Sequence, residues 1–397
     1  MDKSGVRDMK LKLYPGKLTG TAVAPPSKSL AHRMLICAAL ADGETKIEGL
    51  TPSRDILATT ACLEAFGARL APDGRMTPIR TPPKMAVADC GESGSTLRFL
   101  LPVAAALGIE TDFVLHGRLA SRPLSPLWET LCEHGAELSW KAENVLHLSG
   151  RLCAGSYEID GGVSSQFISG LLFALPLTGT GSLTVTGQTE SADYVTLTLD
   201  TLSRFGIHWD HAVTGRYRSP GTVRVEGDWS NAAFWLAGGV PVAGLNPDSK
   251  QGDRAVAELA ERIRGGSARI DGAQIPDIIP PLAVLAAVSG ETTEFYRCGR
   301  LRLKESDRIE SVCALLRGLG VAVSEEAEGF SVVGGKQPRG GTADSFGDHR
   351  IAMSAAILAL YCREPVVLSG AEAVRKSYPE FWTEYRRLGG RAEEVTE

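Results

Sequence analysis

Ser29–Leu70 reads SLAHRMLICAALADGETKIEGLTPSRDILATTACLEAFGARL. Met34, Leu35, Ala38 and Ala39 fall at helical spacing, and Gly43 ends the run. ETKIEGL then alternates polar with apolar, the period of a half-buried strand. DILATTACLEAF returns to helical spacing, with Gly67 just past its end, where a left-handed residue closes a helix. The segment is therefore an α/β unit whose helix must bury one face against strands.

The same order recurs along the chain. Gly94–Leu138 reads GSTLRFLLPVAAALGIETDFVLHGRLASRPLSPLWETLCEHGAEL, and Ser164–Trp209 reads SSQFISGLLFALPLTGTGSLTVTGQTESADYVTLTLDTLSRFGIHW. Further units open at SNAAFWLAGG, PDIIPPLAVLAAVSGETTEFY and GDHRIAMSAAILAL. Six starts fall near Ser29, Gly94, Ser164, Ser230, Asp277 and Gly347, in steps of about 65, 70, 66, 47 and 70 residues. The fourth unit is short and has little room for strands between LAGGVPVAGLNPDSK and IRGGSARIDGAQIPD.

Composition bounds the rest. A chain of 397 residues suggests two or three domains. Its 43% apolar and 22% charged content is that of a globular protein. MDKSGVRDMKLKLY lacks the apolar stretch of a signal peptide, and the longest apolar run, Phe99–Ile109, is too short to span a membrane. The eight cysteines are scattered without C-x-x-C spacing, so reduced thiols in a cytoplasm are expected. A net charge of -5 gives no footprint for nucleic acid.

Against that acidity, PPSKSLAHR (Pro25–Arg33) concentrates cations at a helix entrance. The other entrances read ESGST, SSQ, DWSN, IPD and GDHR. Serine and aspartate there serve as caps, and a helix N-terminus also attracts anions. Charged clusters recur at unit edges: Arg118 and Arg122, Arg302 to Arg308, Asp348 to Arg350, and Arg375 with Lys376. Each alone reads as a solvated loop. Together, arginine forks and lysines interleaved with Asp277, Glu305 and Asp348 suit a small polyanionic substrate and acid/base work. Competing motifs are weak. GTGSLT is an incomplete nucleotide loop before a strand, no Walker A sequence or Ser-His-Asp elbow occurs, and HWDH reads as polar strand-end residues rather than a metal half-site.

PPSKSLAHR, SSQF, VEGDWSNAAFWLA, IPD, KESDRI, GDHRIAM and KSYPEFW, in this order, resemble the 5-enolpyruvylshikimate-3-phosphate synthases, from about Leu11 to Gly390. The resemblance implies transfer of the enolpyruvyl group of phosphoenolpyruvate to the 5-hydroxyl of shikimate 3-phosphate, releasing phosphate, on the way to chorismate and the aromatic amino acids. It implies a two-domain inside-out α/β barrel built from six repeated α/β units. Residues 21–225 would form one domain, residues 1–20 plus 226–397 the other, with the active site in the cleft between them.

By the same resemblance, shikimate 3-phosphate would contact Lys28, Ser29, Arg33, Ser164, Ser165, Gln166, Ser191, Tyr194, Asp277 and Lys304. Phosphoenolpyruvate would contact Lys28, Gly94, Arg122, Gln166, Glu305, Arg308, His349, Arg350 and Lys376. The reaction would be addition then elimination through a tetrahedral intermediate, without metal, cofactor or covalent enzyme intermediate. Asp277 would take the hydroxyl proton and Glu305 would serve the methylene carbon, with Lys28 and Lys376 at the phosphate. A cytoplasmic monomer is implied, whose partners are the two small substrates, with neither nucleic acid nor membrane.

Three positions depart from the family pattern: Glu92 where many relatives have asparagine, Phe99 where many have proline, and Arg300 where some have asparagine. Two alternatives stand beside this reading. The UDP-N-acetylglucosamine enolpyruvyl transferases share the fold and the donor, but their loop cysteine has no counterpart in HGRLASRPL. A non-catalytic repeat scaffold would lose its acid/base residues, whereas Asp277, Glu305 and Lys376 are present.

Overall fold

The computed structural model describes residues 9–179, 181–210 and 212–395. Twelve α-helices run through them. They are α1 (Lys28–Leu40), α2 (Arg54–Ala65), α3 (Gly94–Leu107), α4 (Leu127–Glu133), α5 (Ser165–Ala174), α6 (Ala192–Arg204), α7 (Trp229–Ala237), α8 (Val256–Arg264), α9 (Ile279–Val288), α10 (Arg308–Gly318), α11 (His349–Ala359) and α12 (Phe381–Arg387). The odd-numbered helices begin within two residues of the six unit starts read from the sequence.

Five four-stranded sheets share one plan, two parallel strands followed by two antiparallel ones. Met85–Asp89, Glu110–Val114, Val145–Gly150 and Ala136–Ala142 show it in spatial order. Two of the sheets borrow a strand from far along the chain. Thr222–Arg224 pairs parallel with Thr45–Glu48, Val223 opposite Ile47. Leu11–Leu13 enters the last sheet between Val366–Ser369 and Ala392–Glu394, antiparallel to both. In the short fourth unit the two-residue strand Val242–Ala243 pairs with Ala22–Val23, and Ala268–Asp271 pairs parallel with Thr292–Tyr296 of the next unit. Among the described residues the sheets are six separate pieces rather than one closed hydrogen-bonded barrel.

The inner helices differ from the one-faced helix that the sequence suggests. All eleven residues of α11 and twelve of fourteen in α3 are buried, so these helices are covered on every side. Alanine, cysteine and glycine fill the positions between the large residues, which lets neighbours approach from all directions. The outer helices bury one stripe: in α8 it is Val256, Leu259, Ala260 and Ile263. Helices α2, α10 and α12 all end alike, with glycine in the left-handed conformation at Gly67, Gly320 and Gly389. In each, the next residue donates its N–H back across the last turn, as Ala68 does to the Leu63 carbonyl at 3.0 Å.

The chain divides into two compact units. One comprises Pro26–Glu226 with Asp248–Gln251; the other comprises the residues up to Pro25, Gly227–Pro247 and Gly252 onward. Each has its own core, the first around Leu35, Phe99 and Phe173, the second around Trp235, Leu282 and Phe381. In the first, Pro102 leaves the Arg98 carbonyl without its helical partner, and Gly170 of α5 packs so closely that a Cβ would collide with that oxygen. Among the described residues no helix is long and apolar enough to cross a membrane.

Candidate active site

Each unit carries one constellation of the charged and polar residues picked out above. In the Pro26–Glu226 unit they collect at the entrances of α1, α3, α5 and α6. The capping reading holds first: Ser27, Ser93 and Ser164 each accept a hydrogen bond from a first-turn N–H. Lys28 begins α1, and its Nζ donates to Asp55 Oδ2 at 2.7 Å. Gly94 begins α3. A Cβ there would stand 2.6 Å from Arg98 Nη1 and 2.7 Å from Arg122 Nη1, so two guanidinium groups lie against bare backbone. Arg98 Nη1 donates to Gln166 Oε1 at 2.9 Å, and Gln166 Nε2 donates to Ser95 Oγ at 2.9 Å, which fixes the orientation of that amide. Arg98 Nη2 donates to the Pro123 carbonyl at 3.1 Å, next to Arg122.

Arg33 is committed within the fold. Its Nε donates to Thr198 Oγ1 at 2.8 Å, Nη1 to the Ser29 carbonyl at 2.6 Å and Nη2 to the Tyr194 carbonyl at 2.9 Å. Burial lowers its pKa to about 10. Arg33 thereby clamps α1 to α6 and sets Ser29 and Tyr194 in place. Ser191, at the head of α6, is buried and holds φ of 53°. His32 is buried with Nδ1 2.7 Å from Thr59 Oγ1, and burial pushes its imidazole down to about 3, so it is neutral.

The second constellation centres on Arg308, 1% exposed at the start of α10. Its Nε donates to Asp348 Oδ2 at 2.7 Å, Nη1 to Asp277 Oδ1 at 2.8 Å and Nη2 to Glu305 Oε2 at 2.7 Å. Burial alone would lower its pKa; Asp348, Glu305 and Asp277 outweigh it and hold the group firmly charged. Asp277 precedes α9. Its Oδ1 lies 3.7 Å from Lys304 Nζ and its Oδ2 3.4 Å from Arg350 Nη2. Burial pushes the Asp277 carboxyl up, but Arg350, Lys304 and Arg308 together hold it well below the usual carboxylate range. Arg350 Nη1 also donates to the Asp277 carbonyl at 2.8 Å. Burial lowers Lys304 to about 8; Arg308 and Arg300 act in the same direction, while Asp277 and Glu305 oppose them. His349 and Lys376 are buried, at the start of α11 and the end of the 3-10 helix Ala371–Lys376.

Thus Asp277 and Glu305 share one guanidinium, among cations, in the same unit. The family model for EPSP synthase (3-phosphoshikimate 1-carboxyvinyltransferase) matches residues 14–385. The chain belongs to the EPSP synthase family. The 3-phosphoshikimate 1-carboxyvinyltransferase of Clostridium beijerinckii is 40% identical over 425 aligned positions, covering 96% of this chain and 97% of the relative. That of Clostridium acetobutylicum is 38% identical, over 96% and 97%. Among solved structures, EPSP synthase from Acinetobacter baumannii superposes with a TM-score of 0.78 at 23% identity, covering 98% of this chain and all of that one. The enolpyruvyl transferase NikO from Streptomyces tendae gives 0.72 at 17% identity, over 98% and 100%. At these identities the likenesses carry the fold alone.

Sequence reasoning missed two residues that hold site residues in place. Asp55 reads as a first-turn helix acid and Arg98 as a stray cation in an apolar run, yet they hold Lys28 and Gln166. Among the described residues no group of three or more histidines, cysteines or carboxylates is arranged to hold a metal ion.

Proposed function

We propose that the protein transfers the enolpyruvyl group of phosphoenolpyruvate to the 5-hydroxyl of shikimate 3-phosphate. The observation that carries the reading is the sharing of Arg308 by Asp277 and Glu305, beside Lys304 and Arg350. Acid/base groups and anion receptors stand together there. Lys28, Ser29, Arg33, Ser164, Ser165, Gln166, Ser191, Tyr194, Asp277 and Lys304 serve the shikimate ring and its phosphate. Lys28, Gly94, Arg122, Gln166, Glu305, Arg308, His349, Arg350 and Lys376 serve the donor.

Asp277 is ionised and able to accept the hydroxyl proton, but the cations around it make it a weak base. Substrate anions draw Lys304 and Arg350 toward themselves, and Asp277 then gains proton affinity as the acceptor arrives. Glu305 handles the proton of the methylene carbon, and Lys28 and Lys376 balance charge on the departing phosphate. Arg308 works chiefly by holding both acids in place. Such acid/base groups typically contribute about 10²–10⁴-fold each.

The protein acts as a monomer in this reading. The test is phosphate release by the purified chain. It should require phosphoenolpyruvate and shikimate 3-phosphate together and survive a chelator. Turnover with a UDP-sugar acceptor instead would refute the assignment.

A further inference from the structure

The units share a device at the end of their first strand. Asp89, Asp160, Asp271 and Asp344 each accept a hydrogen bond from the N–H two residues on, at 2.8, 2.8, 3.0 and 2.6 Å. The donors are Gly91, Gly162, Ala273 and Phe346. The first and last of these turns match further. Gly91 and Phe346 both have φ of 53°, and each turn closes with an N–H to carbonyl bond across it, Ser93 to Cys90 at 3.0 Å and Asp348 to Ser345 at 2.9 Å. Gly347 follows at φ of 67°, so Phe346 occupies the first central position of a turn that favours glycine, asparagine or aspartate.

A bulky side chain in the left-handed region is strained. Packing does not offset that strain, because the Phe346 ring is 46% exposed and belongs to neither core. The other two non-glycine residues with positive φ among those described have evident anchors: Ser191 is buried, and Arg297 donates to Asp271 Oδ2 at 2.8 Å. Phe346 alone presents a strained aromatic ring to the surface. Its turn leads directly into Asp348, which caps α11 and accepts from Arg308, and into His349 and Arg350. Strain of this kind persists where function requires the residue.

We infer that Phe346 is a donor-contacting residue: its ring forms an apolar wall against the small carboxylate-phosphate donor held at the α11 entrance. This rests on the proposed function above. The wall would shield the donor's uncharged carbon end from water, while His349 and Arg350 take its charges.

The test compares Phe346→Gly and Phe346→Tyr with the unaltered protein, by steady-state phosphate release and thermal melting. Phe346→Gly relieves the turn, so its Tm should rise by about 1–3 °C. Its KM for phosphoenolpyruvate should rise about tenfold or more, while KM for shikimate 3-phosphate moves less than threefold. Phe346→Tyr keeps the ring and should restore KM to within about threefold. A residue with only a structural role would lower Tm on truncation and leave the KM ratio alone. Unchanged KM in Phe346→Gly, with the unaltered protein active, overturns this inference alone. An inactive unaltered protein overturns the proposed function and this inference with it.

Discussion

Replacing Arg308 by methionine keeps the length and bulk of the side chain and removes every donor. Arg308 is 1% exposed and holds Asp348, Asp277 and Glu305 at 2.7, 2.8 and 2.7 Å. The three losses are unequal. Asp277 still has Lys304 and Arg350 nearby, and Glu305 reaches solvent in part. Asp348 is fully buried and keeps Ser306 Oγ at 3.2 Å, its capping bond to the Arg350 N–H at 2.9 Å and His349 Nδ1 at 3.6 Å. Stranding one buried carboxylate costs about 3–5 kcal/mol, or very roughly 6–20 °C in Tm at the slope usual for a unit of this size.

The pH dependence gives a sharper check on the same substitution. In the unaltered protein Asp277 has a depressed folded pKa, so its stabilisation is complete above the unfolded value of about 3.9 and is lost as pH falls below it. In Arg308→Met, Asp348 is a buried carboxylate without its guanidinium, and burial disfavours the charged form. The variant therefore regains stability as pH falls toward that of an unfolded carboxyl, and its deficit shrinks from pH 7.5 to pH 5. Urea melts at three pH values read this out. A second variant, Arg308→Met with Asp348→Asn, should recover part of the loss by removing the stranded charge. A deficit under about 1 kcal/mol at pH 7.5, or one that widens on acidification, would refute the reasoning.

Five further outcomes are expected. Asp277→Ala should lower kcat by about 10²-fold or more in the phosphate-release assay, whereas Arg122→Ala should chiefly raise KM for phosphoenolpyruvate. Lys304, lowered to about 8, loses its charge as pH rises through that value, so kcat/KM for shikimate 3-phosphate should fall above about pH 8. Because Arg300 contributes to that lowering, Arg300→Gln should move the break to higher pH. Gly170→Ala should lower Tm, since its Cβ meets the Arg98 carbonyl; overpacking of this kind costs about 1–3 kcal/mol, and an unchanged melt would show that α3 and α5 can slide apart.

The repeat was legible because its signals are local. Serine or aspartate at a helix mouth and glycine past a helix end are readable residue by residue, and they placed α1, α3, α5, α7, α9 and α11 within two residues. The shortness of the fourth unit was legible from length alone. Burial was less so. Met34, Leu35, Ala38 and Ala39 suggest one buried stripe, but Ala31, Ile36 and Cys37 are equally buried because neighbours surround α1. The members of the Arg308 cluster stood out as charged residues at unit edges, but their pairing did not, since Asp277 and Asp348 lie 31 and 40 residues from Arg308 and follow no period. Arg33 stood out as a cation at a helix mouth; only its three bonds show that it clamps α1 to α6. Phe346 was hidden for the opposite reason, because a phenylalanine gives no sign of left-handed backbone until its φ is seen.

The borrowed strand Leu11–Leu13 has a consequence for synthesis. It leaves the ribosome first, yet its partners are Val366–Ser369 and Ala392–Glu394. The unit built on Pro26–Glu226 has all its residues once Gln251 has emerged, and can fold while translation continues. The other unit cannot complete its last sheet until Ala392–Glu394 has emerged. At about 5–20 residues per second the wait is roughly 20–70 s. Throughout it, Leu11 and Leu13, fully buried in the finished fold, remain open to wrong partners. Slower elongation lengthens that exposure, and a chaperone that holds extended apolar segments would shorten its effect.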